Sequence, residues 1–261
     1  MLEKVILLIG NLIDYLVIFS IAVVVLFGFY GIYDTHSILE NAQDKSVLKY
    51  KPSSGTVLNQ NIEGNVAWIT LDDSKIDYPV MQATTNDYYI DRDCYGNYSL
   101  SGAIFLDYRN APDFSDNYNL IYGHHMQDEM MFGALDNWLD ETYFNSHSAG
   151  TLVTTSRIYH LDAYAVVETL CTTQELFQPT NIPFEETVNF IKENATFLNQ
   201  NIVPEKLVAL STCKYPDTND RALVIFSSTQ IYKGTDVEVN LAHTDKKAFQ
   251  NVEPLNRKDG D

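Results

Sequence analysis

The sequence predicts a mainly β fold: a closed or nearly closed barrel of eight strands, with an amino-terminal helix and helical inserts, preceded by one transmembrane helix. Three observations carry this. An uncharged apolar run fills 15–33. From about Ile62, eight short runs rich in β-branched and aromatic residues follow one another, bounded by Gly, Asp, Asn and Pro. Two segments with helical periodicity interrupt them.

The apolar run "YLVIFSIAVVVLFGFYGIY" is close to the length that crosses a hydrocarbon layer of about 30 Å at roughly 1.5 Å per residue. Tyr15, Tyr30 and Tyr33 sit near its ends, where aromatic rings favour the interface. Upstream, "VILLIGNLI" extends it, but Asn11 and Asp14 place that part at or before the membrane surface. A cleaved signal peptide is the competing reading; the length of the run and the lack of an Ala-x-Ala site speak against it. Orientation is not settled by charge. Lys4 precedes the run, and Lys45, Lys49 and Lys51 follow it, so the positive-inside rule does not favour an exported carboxyl-terminal part.

Beyond the run, "THSILENAQDKSVLKY" reads as an amphipathic helix, broken by "KPSSGTV". The strands are then "NVAWITL", "YPVMQ", "SGAIFLD", "YNLIYGH", "GTLVTTS", "IYHLDAYAVVETL", "KLVALSTC" and "ALVIFSSTQI". The inserts are "DEMMFGALDNWLD", with Met131, Leu135 and Leu139 at helical spacing, and "PFEETVNFIKENATFL". The second starts on Pro183 with acids in its first turn, a good helix start. The tail from 242 is polar and aperiodic. The expected organisation is therefore 1–34 cytoplasmic end and membrane anchor, 35–61 juxtamembrane helix and linker, 62–241 barrel, and 242–261 a disordered tail.

Composition narrows the function. Of 261 residues 45% are apolar, enough for a substantial core. The net charge of −18 argues against a nucleic-acid role, because phosphate binding needs a basic surface. The cysteines are Cys94, Cys171 and Cys213, an odd number with no CxxC, so neither a disulfide framework nor a zinc ribbon is indicated. No metal or other cofactor is expected: acids are plentiful, but no DxDxDG calcium loop occurs.

Three strand ends carry chemistry. One strand ends at Gly123-His124, another at Cys213, and a third begins at Arg221. In a barrel such ends can converge on one rim. A thiol attacks as its thiolate, which a nearby cation favours. An imidazole can protonate a leaving amine and deprotonate an incoming one. A guanidinium offers rigid donors to an oxyanion. These are the parts for acyl transfer through a thioester. Each also has a plainer reading: Cys213 as a core residue, His124–His125 as a turn pair or half of a metal site, Arg221 as a strand start with its head in solvent. Spacing alone does not choose.

"YGHHM", and above all "LSTC" with Arg221 eight positions after Cys213, resemble the signature of the sortases, membrane-anchored cysteine transpeptidases of mainly Gram-positive bacteria. The family pattern T-L-x-T-C reads A-L-S-T-C here, departing at Ala209. "NVAWITLDDSKIDYPVMQATTNDYYI" and "SGAIFLDYRN" are similar to the family's early strands, and the likeness covers roughly Ile62 to Ile231. The insert at Pro183–Leu198 and the amino-terminal helix before the barrel resemble class B.

The resemblance implies the eight-stranded sortase barrel, held outside the cell. It implies cleavage of a carboxyl-terminal sorting-signal peptide and transfer of the acyl group to an amine on a peptidoglycan precursor. Cys213 would be the nucleophile, His124 the acid/base and Arg221 the holder of signal and oxyanion. His125 occupies the next position, where family members vary, and ranks second. Ser211 matches a substrate-contacting position, and Asn86 and Ile90 match the substrate wall. Lys214 stands where some relatives carry an acid. Two other classes remain: a membrane-anchored thiol hydrolase, and a non-catalytic surface-binding barrel with Cys213 in its core.

Overall fold

The structure, a computed structural model, describes residues 2–42, 45–59, 61–213 and 219–233. Contacts divide the chain into two units, 1–43 and 44–261.

The first unit is one helix, α1 (Leu2–Ala42). Its stretch Ile6–Ser37 is long and apolar enough to cross a membrane. The consecutive residues Leu16, Val17, Ile18 and Phe19, which point to successive sides of it, are all exposed, the pattern of a helix that is apolar all round. Ser20 and Thr35 donate their hydroxyls to Leu16 O and Gly31 O one turn back, so neither hydroxyl needs water. The amphipathic helix expected over 35–50 is not a separate element. Thr35–Ala42 continue α1, because neither Gly nor Pro stands between Tyr33 and Ala42, and Lys45–Tyr50 form a 3-10 turn that stops before Pro52.

The second unit contains nine strands among its described residues. They are β1 (Asn65–Leu71), β2 (Asp77–Met81), β3 (Ile104–Leu106), β4 (Tyr118–Tyr122), β5 (Ala149–Thr154), β6 (Arg157–Leu170), β7 (Phe197–Leu198), β8 (Leu207–Cys213) and β9 (Asp220–Lys233). Their order is β5-β1-β2-β3-β4-β8-β9-β6, and pairing of β5 with β6 closes an eight-stranded barrel. Closure leaves no long edge open to another chain. The pairs β2–β3 and β4–β8 are parallel and the others antiparallel. All eight apolar runs supply barrel strands. The ninth strand, β7, falls in the segment expected to be helical to Leu198: the helix there stops at Asn194, and Phe197 and Leu198 pair with Val166 and Ala165 on β6.

Three short helices, α2 (Glu141–Ser146), α3 (Gln174–Phe177) and α4 (Phe184–Asn194), complete the unit. Pro183 caps α4, with Glu185 and Glu186 in the first turn and Lys192 in the last, each charge matched to the helix dipole. Thr187 donates its hydroxyl to Glu175 O and ties α4 to α3. The first insert is not α-helical. Asp128, Glu129 and Met131 adopt positive φ, so the segment becomes two 3-10 stretches, Gln127–Glu129 and Phe132–Leu139, with Trp138 buried.

The outer face of β4, β8, β9 and β6 lies under α3 and α4. One core joins Tyr118, Leu120, Ala165, Val167, Leu207, Ala209, Leu223 and Ile225 of the strands to Leu176, Val188 and Ile191 of the helices. Successive residues of a strand alternate between faces. Away from the irregularity at Ala163–Ala165 of β6, each strand contributes every second residue to this core, and the rows continue toward one end of the barrel: Tyr118–Leu120–Tyr122, Leu207–Ala209–Ser211 and Ile225–Leu223. The next alternate positions are His124, Cys213 and Arg221.

Candidate active site

The register fixes how those positions meet. On β8 and β9, Cys213 is paired with Arg221. On β4 and β8, Tyr122 is paired with Ser211, and one residue further Gly123 N–H donates to Ser211 O at 3.2 Å. His124 is the next residue after Gly123, and Cys213 is the end of β8, so the two follow at the same end of this strand pair. Arg221 is also paired with Thr169 on β6. A histidine, a cysteine and an arginine distant in sequence thus share one end of three neighbouring strands.

His124 is held by an adjacent loop. Its Nε2 is 2.6 Å from the carbonyl oxygen of Ile90. A carbonyl only accepts, so Nε2 carries the proton and the other ring nitrogen, Nδ1, is not engaged in this bond. The loop reaches the ring because Gly102 stands between them at φ +60. A Cβ there would lie 2.6 Å from Ile90 O, 2.7 Å from Tyr89 O and 2.9 Å from His124 Cδ2. Gly123 has a comparable role, since a Cβ on it would meet the Ile104 and Phe132 side chains. His125 is turned to other work: its Nε2 contacts Asp136 Oδ2 at 2.7 Å. Arg221 is half-buried and donates from Nη1 to Asp220 O at 3.0 Å.

The three wall candidates differ. Ile90 is 44% exposed beside His124. Ser211 is buried, and among the described residues its hydroxyl has no hydrogen-bond partner. Asn86 is half-buried and two of its groups are in use: Nδ2 donates to Asp107 Oδ2 at 2.9 Å, and Oδ1 accepts from Tyr108 N at 2.9 Å. One Nδ2 hydrogen is left for a ligand. Lys214 and the tail from 242 lie outside the described residues. Among the described residues no group of three His, Cys, Asp or Glu side chains is placed to hold a metal ion.

Sequence reasoning did not single out Asp107, Arg109, Tyr122 or Gly102. Asp107 is fully buried under the site, bonded by Arg109, Asn86 and Tyr122. The available signal was the run "FLDYRN", an acid leaving a buried strand two residues before an arginine. Gly102 carried none, because its backbone angle follows from the return of a long loop.

Comparison with known proteins follows the same line. No family model matches the chain. Sortase B of Listeria monocytogenes is 30% identical over 174 residues, 64% of this chain and 70% of the relative. Sortase B of Staphylococcus aureus is 27% identical over 176 residues, again 64% of this chain and 70% of the relative. Among solved structures, a Streptococcus pyogenes class B sortase involved in pilus biogenesis matches with a TM-score of 0.60 at 32% identity, covering 73% of this chain and 100% of that one. Bacillus anthracis sortase B matches with a TM-score of 0.63 at 30% identity, covering 77% and 99%. The identity, its reach across the relatives and the eight-stranded barrel agree, and the chain belongs to the class B sortases, a family of membrane-associated cysteine transpeptidases.

Proposed function

We propose that the chain anchors secreted proteins to the cell wall through a Cys213 thioester. The observation that carries this is the convergence of His124, Cys213 and Arg221 at one end of β4, β8 and β9. The Cys213 thiolate attacks a carbonyl in the sorting signal of a peptide substrate, and the tetrahedral oxyanion is met by the Arg221 guanidinium. His124 gives a proton to the leaving amine as the thioester forms. It then takes one from the incoming amine of a peptidoglycan precursor as the new amide forms. Ile90, Ser211 and the remaining Nδ2 hydrogen of Asn86 line the signal's path. α1 anchors the chain in the membrane, with the barrel outside the cell.

The test uses the full chain in detergent micelles, with a library of threonine-centred peptides and a graded concentration of an amine acceptor. An acyl adduct on Cys213 that partitions into amide product as the amine increases supports the proposal. Hydrolysis that ignores the amine makes the protein a thiol hydrolase. Peptide turnover unaffected by thiol alkylation would leave a barrel that does not use Cys213. Protease added to wall-less cells should digest the barrel while a cytoplasmic control survives; joint protection of both would reverse the orientation.

A further inference from the structure

Asp107, one residue past β3, presents a fully buried carboxylate to five donors. Arg109 gives its backbone N–H (3.0 Å) and Nε (2.8 Å) to Oδ1, and Nη2 (2.7 Å) to Oδ2. Asn86 Nδ2 (2.9 Å) and the Tyr122 hydroxyl (3.0 Å) complete Oδ2. The guanidinium continues to Gln178 Oε1 at 3.0 Å and Phe177 O at 2.8 Å, at the end of α3. Burial opposes the charge on Asp107, but the Arg109 and Asn86 bonds outweigh it and hold the carboxyl below its ordinary range. Burial and the Asp107 charge together push the Tyr122 phenol far up, so it stays a donor.

Three elements are fastened to this one group, and two of them hold His124. Tyr122 is the last residue of β4, two before His124. Asn86 opens the turn whose end is Ile90, the residue that receives His124 Nε2–H. The far side of that turn is closed by Ala103 N–H on Tyr89 O at 3.0 Å. The His124 ring and the carbonyl that orients it therefore both hang from the Asp107 carboxylate. We propose that Asp107 is a positioning residue for His124, setting the distance and angle at which the Ile90 carbonyl meets the ring. The proposal rests on the reading of His124 as acid/base, because only then does the ring's orientation matter to turnover.

An amide cannot replace this carboxylate without loss. Asp107→Asn offers one acceptor atom to five donors and turns an NH₂ toward others. The test uses the full chain in detergent, with histidine-labelled protein and the His124 ring signal assigned by its loss in His124→Gln. In Asp107→Asn the ring titration should move from that of the parent, the limb of the pH–rate profile that follows it should move in step, and kcat should fall about tenfold or more per folded molecule. Tyr122→Phe removes one donor and keeps the ring packed on Phe105, whose centroid is 5.3 Å away; it should shift both readouts the same way by less. A lower melting temperature with an unchanged His124 titration and unchanged kcat per folded molecule would make Asp107 scaffold only and overturn the proposal. If Asp107→Asn does not fold, Tyr122→Phe decides by the same two readouts. Full turnover in His124→Gln would remove the acid/base reading instead, while the ring titration still reports whether Asp107 positions the ring.

Discussion

Cys213 and Arg221 are register partners across the antiparallel pair β8–β9, eight residues apart in the chain and directly opposite in the sheet. Opposed residues in such a pair have Cα atoms about 4.5–5.5 Å apart, within the span of an arginine side chain. Under the proposed function that closeness offers Arg221 two roles. Arg221 either stabilises the oxyanion with a rigid pair of donors, or only favours the thiolate as a positive charge. Arg221→Lys separates them, since lysine keeps the charge without the fork. Under the oxyanion role kcat/KM falls on the order of 10²-fold, about 2.7 kcal/mol, with folding intact. Under the charge-only role most of the rate survives. Single-substrate kinetics and thiol alkylation rate against pH, on the same variant, read the two apart.

The barrel strands, and the three candidate positions at their ends, were legible because they rest on local pattern. Short apolar runs rich in β-branched and aromatic residues mark β4, β8 and β9, and His124, Cys213 and Arg221 stand where those runs meet polar residues. What was not legible depends on tertiary packing. Phe197 and Leu198 look like the last turn of a helix, and only the open position on β6 makes them a strand. Met131, Leu135 and Leu139 have helical spacing, but positive φ at Met131 forces a tighter coil. Asp107 could be seen as an acid but not as the acceptor of five donors, because Asn86, Arg109 and Tyr122 reach it from separate elements.

The three cysteines should separate cleanly. Cys94 is partly buried against the core formed with Trp68 and Tyr89, and Cys171 is partly buried where its N–H donates to Asn219 O at 2.8 Å. Cys213→Ala is expected to abolish both cleavage and transfer, while Cys94→Ala and Cys171→Ala keep most activity. Product analysis by mass spectrometry checks all three. Turnover by the Cys213 variant would remove the thioester.

The histidine pair should divide in the same way. His124 bonds the Ile90 loop and follows β4 at the end where β8 reaches Cys213, whereas His125 contacts Asp136. His124→Gln should lose transpeptidation to background. His125→Gln should retain it within about threefold and lose at most roughly 1 kcal/mol for one exposed side-chain contact. Peptide turnover and thermal melts on both variants test this, and equal losses would show that the ring contact does not distinguish the two.

Stability should depend on pH through identifiable groups in an acidic and a higher range. The His160 pKa is raised above 6.5 first by its bond to Asp162, with burial opposing and the charges of Asp162 and Asp72 assisting. A raised folded value means its contribution is fully present below 6.5 and is lost as pH rises through that value. Asp107 and Asp113 have carboxyls lowered from 3.8, burial opposing and the bonds to Arg109 and Asn86, and to Ser115 and Arg157, prevailing. Their contribution is present above 3.8 and lost as pH falls through the folded values. Melting temperature against pH should therefore decline on both flanks, and His160→Gln should flatten the alkaline flank alone. An unchanged alkaline flank in that variant would assign the decline to another group.

Gly102 offers the sharpest test of the contact between Ile90 and His124. Its φ of +60 is costly for any residue with a Cβ, and the added carbon would press on two loop carbonyls and on the ring itself. Backbone strain of this kind costs on the order of 1–3 kcal/mol, so Gly102→Ala should lower stability whatever the site does. Gly96 is the control. It also has a positive φ, of +84, but a Cβ there meets only the Tyr88 hydroxyl at 3.2 Å, the far end of an exposed side chain. Gly96→Ala should therefore lose the backbone-strain part of the stability without the clash, and keep its kcat. Gly102→Ala should lose on the order of 10²-fold in kcat as well, because a displacement of about 1 Å in an acid/base group can cost that much. Melting temperature and kcat measured side by side decide the matter. A parental kcat in folded Gly102→Ala, whatever its melting temperature, would mean that the Ile90 carbonyl holds His124 only as a matter of packing, and that the ring finds its working orientation once the peptide is bound.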